Sequence, residues 1–114
     1  MEKSSSLQDR PFWGVIIPVF NCEAYIEQAI MSICKQPCKD LLIVVVDDGS
    51  TDSSLRICYS LAECDSRIII LHQKKRGVSE ARNRGIQYCI ETQVSYVAFL
   101  DADDVWCKSF YTQD

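Results

Sequence analysis

Six apolar residues in unbroken succession, Leu41 to Val46, constrain this chain more than any other stretch. A strand wetted on one side alternates polar and apolar side chains. A continuous run dominated by β-branched residues belongs to a strand covered on both faces. Two covered faces require a layer on either side, and the flanking sequence supplies them. Ile26, Ala29, Ile30, Ile33 and Cys34 recur at helical spacing, and Pro37 closes that segment. After the apolar run, DDGSTDSS is turn and capping chemistry. Gly49 permits the turn, and Thr51, Asp52 or Ser53 can cap a helix whose stripe is Leu55, Cys58 and Leu61 or Ala62. Asp52 and Asp65 read as cap or turn residues. Gly14–Pro18, Ile68–Leu71 and Ser95–Leu100 read as further strands. Val78, Ala81, Gly85, Ile86, Cys89 and Ile90 form one face of a third helix. The order βαβαβαβ with short connections predicts an α/β fold, a parallel sheet with helices on both faces.

At 114 residues the chain is one domain or part of one. Residues 1–11 read as a polar tail and 12–114 as the folded unit. A net charge of −4 argues against an electrostatic nucleic-acid footprint, and the basic residues Lys74, Lys75 and Arg76 are local. No apolar stretch approaches the roughly 18 residues of a membrane helix, and MEKSSSLQDR has no apolar signal core. The seven cysteines are therefore expected to be reduced, several acting as small apolar residues. Cys34 and Cys38 have a spacing that zinc could use. No second pair follows and His72 is the only histidine, so a structural zinc site is not expected.

The chemistry concentrates at the strand ends. In open parallel sheets ligands bind beyond the carboxyl ends of the strands. There the sequence puts Asn21 and Glu23 after the first strand and Asp47 and Asp48 after the second. Asp101, Asp103 and Asp104 follow the fourth. Three acidic groups from separate parts of the chain are expected to converge on one rim. Two carboxylates about 4 Å apart repel by roughly 4 kcal/mol at an effective dielectric near 20. A hard divalent cation such as Mg²⁺ or Mn²⁺ offsets that cost and lets an anionic, phosphate-bearing ligand approach an acidic protein. Neither Gly49 nor Gly77 belongs to a phosphate-cradling glycine motif. Neutralisation then falls to the metal, with help from Arg82, Arg84 or the basic loop.

Taken together, VIIPVFNCEAYIEQAIMSI, VVVDDGSTDSS, GVSEARNRGI and YVAFLDADDVW resemble the inverting glycosyltransferase family 2, in the family's order and intervals. The resemblance implies a GT-A (Rossmann-like) fold and transfer of a sugar from a nucleotide-sugar donor, with UDP the expected nucleotide, in polysaccharide or glycoconjugate synthesis. It makes Asp101-Ala102-Asp103 the D-x-D motif. Asp103 would ligate Mn²⁺ or Mg²⁺, Asp101 would face the ribose or donor sugar beside the metal, and Asp104 would support the site. Pro18, Val19, Phe20 and Asn21 would lie along base and ribose, with Glu23 near the ribose. Asp48 would accept from the uracil edge with Asp47 beside it, and Arg82 and Asn83 would sit near the diphosphate or base. Where the family more often has tyrosine this chain has Phe20, which keeps stacking and loses a hydroxyl contact.

The resemblance also implies a carboxylate base from a later segment, beyond Asp114. The chain is thus expected to hold the donor and metal half, to end after the D-x-D strand, and to bind a donor without transferring its sugar. An uncovered sheet edge with apolar surface is expected to accompany that ending. The implied partners are the nucleotide-sugar and a saccharide or lipid-linked acceptor, with no nucleic acid. The implied location is cytoplasmic, including peripheral association at the inner face of the membrane. Three other readings compete. One is a nucleotide-sugar-binding fragment without activity. Another is a haloacid-dehalogenase-like phosphatase, but its D-x-D-x-[TV] motif normally opens the domain. The third is a receiver-type module, which needs acidic residues after strand one and an aspartate after strand three, where this chain has Pro18-Val-Phe-Asn and His72-Gln73.

Overall fold

A computed structural model describes residues 12–37 and 40–102. The tail at 1–11, Cys38, and Asp103, Asp104, Trp106 and Cys107 lie outside the described residues. Among the described residues four strands form one parallel sheet: β1 (Trp13–Val19), β2 (Leu41–Asp48), β3 (Ile68–Gln73) and β4 (Tyr96–Phe99), in the order β3-β2-β1-β4. The crossovers carry α1 (Ile26–Cys34), α2 (Ser54–Cys64) and α3 (Val78–Thr92). This is the predicted α/β order.

The first two crossovers step outward from β1 to β3, and the third returns across the sheet to β4. With the usual right-handed crossover, that reversal puts α1 and α2 on one face and α3 on the other. The core follows suit. Val15, Ile17, Ile43 and Val45 pack with Ile26, Ala29, Ile30, Ile33 and Cys58, whereas Ile16, Val44 and Val46 pack with Ala81 and Cys89. Alternate residues of β2 therefore feed two separate cores, which is why Leu41–Val46 contains no polar side chain. Each fully buried Val or Ile contributes about 1.5–3 kcal/mol. The reversal also creates a switch point between β1 and β4, where a crevice opens at the carboxyl ends.

The structure adds three points. First, β2 runs two residues past the apolar run, so Asp47 and Asp48 are the last residues of the ladder with β3 and not part of a loop. Second, α3 meets the sheet through a narrow seam of small residues, Ala81, Gly85 and Cys89, leaving Val78 and Ile90 exposed. A Cβ on Gly85 would lie 2.5 Å from Ile16 Cγ2, so the helix rests directly against β1 at Gly85, with Ile86 and Tyr88 partly buried beside the seam. Third, β4 is an outer strand among the described ones, and Tyr96, Val97 and Phe99 are exposed on it. Tyr96 meets Phe12 edge-to-face and Trp13 at a tilt, with ring centroids 5.1 and 5.2 Å apart.

Candidate functional site

Consecutive residues of a strand point to opposite faces of the sheet. Asp47 and Asp48 do so, each paired with the residue opposite it on β3: Asp47 with His72, Asp48 with Gln73. Asp48 faces the α3 side and is almost wholly buried. Its Oδ1 accepts Gln73 Nε2 at 2.9 Å and the Arg76 N–H at 2.7 Å, and its Oδ2 accepts the Gly77 N–H at 3.0 Å. Lys75 Nζ stands 3.6 Å from Oδ2. Burial alone would push this carboxyl up, but the Gln73 amide, the two backbone N–H groups and the Lys75 charge together hold it below the usual carboxylate range. Asp48 thus organises the loop between β3 and α3.

Asp47 does the corresponding work on the other face. Its Oδ2 accepts the Ser50 N–H at 3.1 Å and lies 3.1 Å from His72 Nδ1. Asp47 Oδ1 is buried with no hydrogen-bond partner among the described residues. Gly49, between the two loops, has φ +82°, and a Cβ there would meet the Lys75 nitrogen at 2.9 Å. Only glycine lets the turn after β2 approach the loop after β3 so closely.

The loop after β1 is tied to the turn after β2. Asn21, at φ +53°, accepts the Thr51 and Asp52 N–H groups on Oδ1 at 2.8 and 3.3 Å, and its own N–H donates to Ser50 Oγ at 2.9 Å. Glu23 Oε1 accepts the Ser53 N–H at 2.8 Å, and the Glu23 N–H donates to Asp52 Oδ2 at 3.2 Å. Asp52 Oδ1 takes the Ser54 N–H at 2.8 Å, the cap-like role expected of it, although Ser53 is the formal N-cap. Asp65 closes the other end of α2, held by Arg67 through Nε at 3.0 Å and Nη2 at 2.8 Å.

A small cavity of about 100 Å³ opens at the carboxyl ends, lined by Pro18, Val19, Phe20, Asp48, Lys75 and Val78. The Lys75 ammonium sits over the Phe20 ring, 3.7 Å from its centroid. Past β4, Arg82 Nη2 reaches Asp101 Oδ1 at 3.3 Å, and Ala102 is buried. Asn83 lies elsewhere, in an open groove of about 840 Å³ between the β3 edge and α3, with Gln73, Arg76, Glu80 and Arg84. No helix among the described residues is long and apolar enough to cross a membrane.

Comparison with known proteins decides the family. The family model described as "Glycosyl transferase family 2" matches residues 14–113. The chain belongs to glycosyl transferase family 2. It is 42% identical over 99 residues to the glycosyltransferase GlyA of Streptococcus pneumoniae serotype 4, covering 87% of this chain and 14% of that protein. Among solved structures, S. aureus TarS in complex with UDP superposes with a TM-score of 0.76 at 28% identity, covering 89% of this chain and 30% of that one. The mannosyltransferase PcManGT from Pyrobaculum calidifontis, in complex with GDP-Man and Mn²⁺, gives 0.73 at 27% identity, with coverage of 88% and 30%. This family-2 segment thus spans a minor part of the length of such relatives.

Within the family-2 segment the structure gathers Pro18, Val19, Phe20 and Asp48 into one cavity, and Arg82 with Asp101 at the end of β4. Asn21 and Glu23 come to the same end of the sheet, but their carbonyl and carboxylate oxygens serve the neighbouring backbone. Asn83 stands apart from the cavity. Asp101 offers the hard oxygen that Mn²⁺ or Mg²⁺ favours and is more than half exposed, which suits a first ligand. Among the described residues no group of three or more His, Cys, Asp or Glu is placed to hold a metal, and Asp103 lies outside them. Sequence reasoning missed His72 and Gln73 as partners of the aspartates, and it placed Lys75 only in the basic loop that could help neutralise phosphate, not in the cavity. The first two matter only because the ladder seats them opposite Asp47 and Asp48. Lys75 reads in sequence as one solvated charge among three.

Proposed function

We propose that this segment binds the nucleotide-sugar donor for an inverting glycosyl transfer, with UDP the preferred nucleotide and a saccharide or lipid-linked hydroxyl as acceptor. The observation that carries this reading is the cavity lined by Phe20 and Asp48 at the carboxyl ends of β1 and β2, in a chain of glycosyl transferase family 2. Its size suits a pyrimidine ring, its Phe20 wall suits stacking, and its buried carboxylate suits a base N–H. Asp48 Oδ1 already accepts two N–H groups and Oδ2 one, so Oδ2 keeps a lone pair for the ligand. Relatives solved with UDP and with GDP-Man support a nucleotide-sugar as the partner.

Arg82 and Asp101 would face the diphosphate and sugar, Arg82 exchanging its carboxylate partner for phosphate oxygens. A divalent cation held by Asp101 and Asp103 would supply positive charge to the departing nucleoside diphosphate. The base that deprotonates the acceptor hydroxyl is assigned to a segment outside these 114 residues. Calorimetric titration with UDP, GDP and dTDP, with and without Mn²⁺, on wild type and Asp103→Ala tests this. UDP binding strengthened by Mn²⁺ and weakened by the substitution is expected. Metal-independent binding untouched by Asp103→Ala would overturn the metal assignment.

A further inference from the structure

Lys75 stands where a nucleobase would have to go. Its ammonium lies 3.7 Å from the Phe20 centroid, closer than the roughly 4.5–7 Å of stacked ring centroids, so it covers the face a stacked base would need. The same ammonium lies 3.6 Å from Asp48 Oδ2, the oxygen with a lone pair still to give. Both contacts are made within one cavity of about 100 Å³, lined by Lys75 along with Phe20 and Asp48. A base and the ammonium cannot share that space.

We propose that Lys75 is a resident occupant of the base subsite, an internal cation that a nucleobase must displace from Phe20 and Asp48 before it can bind. The inference rests on the reading of this cavity as the donor site. Its physical basis is the balance of two modest interactions. A cation over a partly exposed ring and an ion pair to a carboxylate are each weak, so the occupant holds the space without locking it. The side chain is more than half exposed and can swing out to solvent. Backbone hydrogen bonds from Arg76 and Gly77 to Asp48 keep the loop in place when it does. Displaced to the rim, the ammonium becomes available to the diphosphate. Lys75 thus costs base affinity and adds selectivity for ligands that bring phosphate.

Uridine, which has no phosphate, isolates the base term and is the probe. NMR titration of the 114-residue chain with uridine should show Lys75→Met binding roughly fivefold tighter than wild type. Lys75→Arg, which keeps a cation over the ring, should stay near wild type. In wild type the Lys75 ε-methylene protons should be shifted upfield by the Phe20 ring and return towards ordinary values on adding UDP. Equal or weaker uridine binding by Lys75→Met overturns the proposal, as does the absence of uridine binding in both wild type and Lys75→Met while UDP binds. Failure of wild type to bind UDP, with Mn²⁺ present, overturns the donor-site reading and this inference with it.

Discussion

At the scale of single residues, two adjacent aspartates do different work because a pleated strand turns them to opposite faces. Asp48 gathers Gln73, Arg76 and Gly77 on the α3 side, and Asp47 gathers Ser50 and His72 on the other. Replacing Asp48 by asparagine puts an amide NH₂ against donors already aimed at a carboxylate. The expected cost is about 2–3 kcal/mol of stability in urea denaturation, with UDP binding weakened at least about tenfold. Unchanged stability would mean that the loop after β3 does not depend on the Asp48 charge. In sequence both aspartates were visible as chemistry at a strand end. Their partners were not, because His72 and Gln73 become neighbours only through the register of β2 against β3.

At the scale of elements, the packing of α3 is set by what is missing from its side chains. Ala81, Gly85 and Cys89 form a seam at intervals of four, and Gly85 lies against Ile16. Gly85→Ala gains helix propensity but forces a methyl group to within 2.5 Å of Ile16 Cγ2. Net destabilisation of about 1–3 kcal/mol is expected, measured by thermal or urea unfolding. Ile16→Val alongside it should recover part of the loss; a stabilised Gly85→Ala would refute the close seam. The helical stripe was legible from periodicity, but its width was not. Val78 and Ile90 share the stripe in sequence and are exposed in the fold, whereas Ile86 and Tyr88 are partly buried against the sheet-side core.

At the scale of the whole molecule, carboxylates stitch the loops at both ends of α2. Arg67 holds Asp65 well below the usual carboxylate range. Burial pushes Asp48 and Asp52 up, yet their hydrogen bonds outweigh it and both end lowered. A carboxyl whose folded pKa lies below its unfolded value, about 4, stabilises the fold fully above that value. The contribution is lost as pH falls through the lower folded value. Urea midpoints followed by circular dichroism should therefore hold steady down to about pH 5 and fall progressively below about pH 4. Asp65→Asn should flatten part of that fall, and a midpoint that rises on acidification would contradict the assignment.

The local sequence determined the elements and their order, because side-chain period and turn chemistry act within a few residues. It also determined which residue types gather at the strand ends, Pro18 to Asn21, Asp47 and Asp48, and Asp101 and Ala102. Only the tertiary structure decided that β4 returns to pair with β1, that Asn21 and Glu23 spend their oxygens on the turn after β2, and that Asn83 leaves the cavity for the outer groove. It alone set Lys75 over Phe20. Those outcomes depend on strand register and on how closely a glycine lets two loops approach, and both are properties of segments distant in the chain.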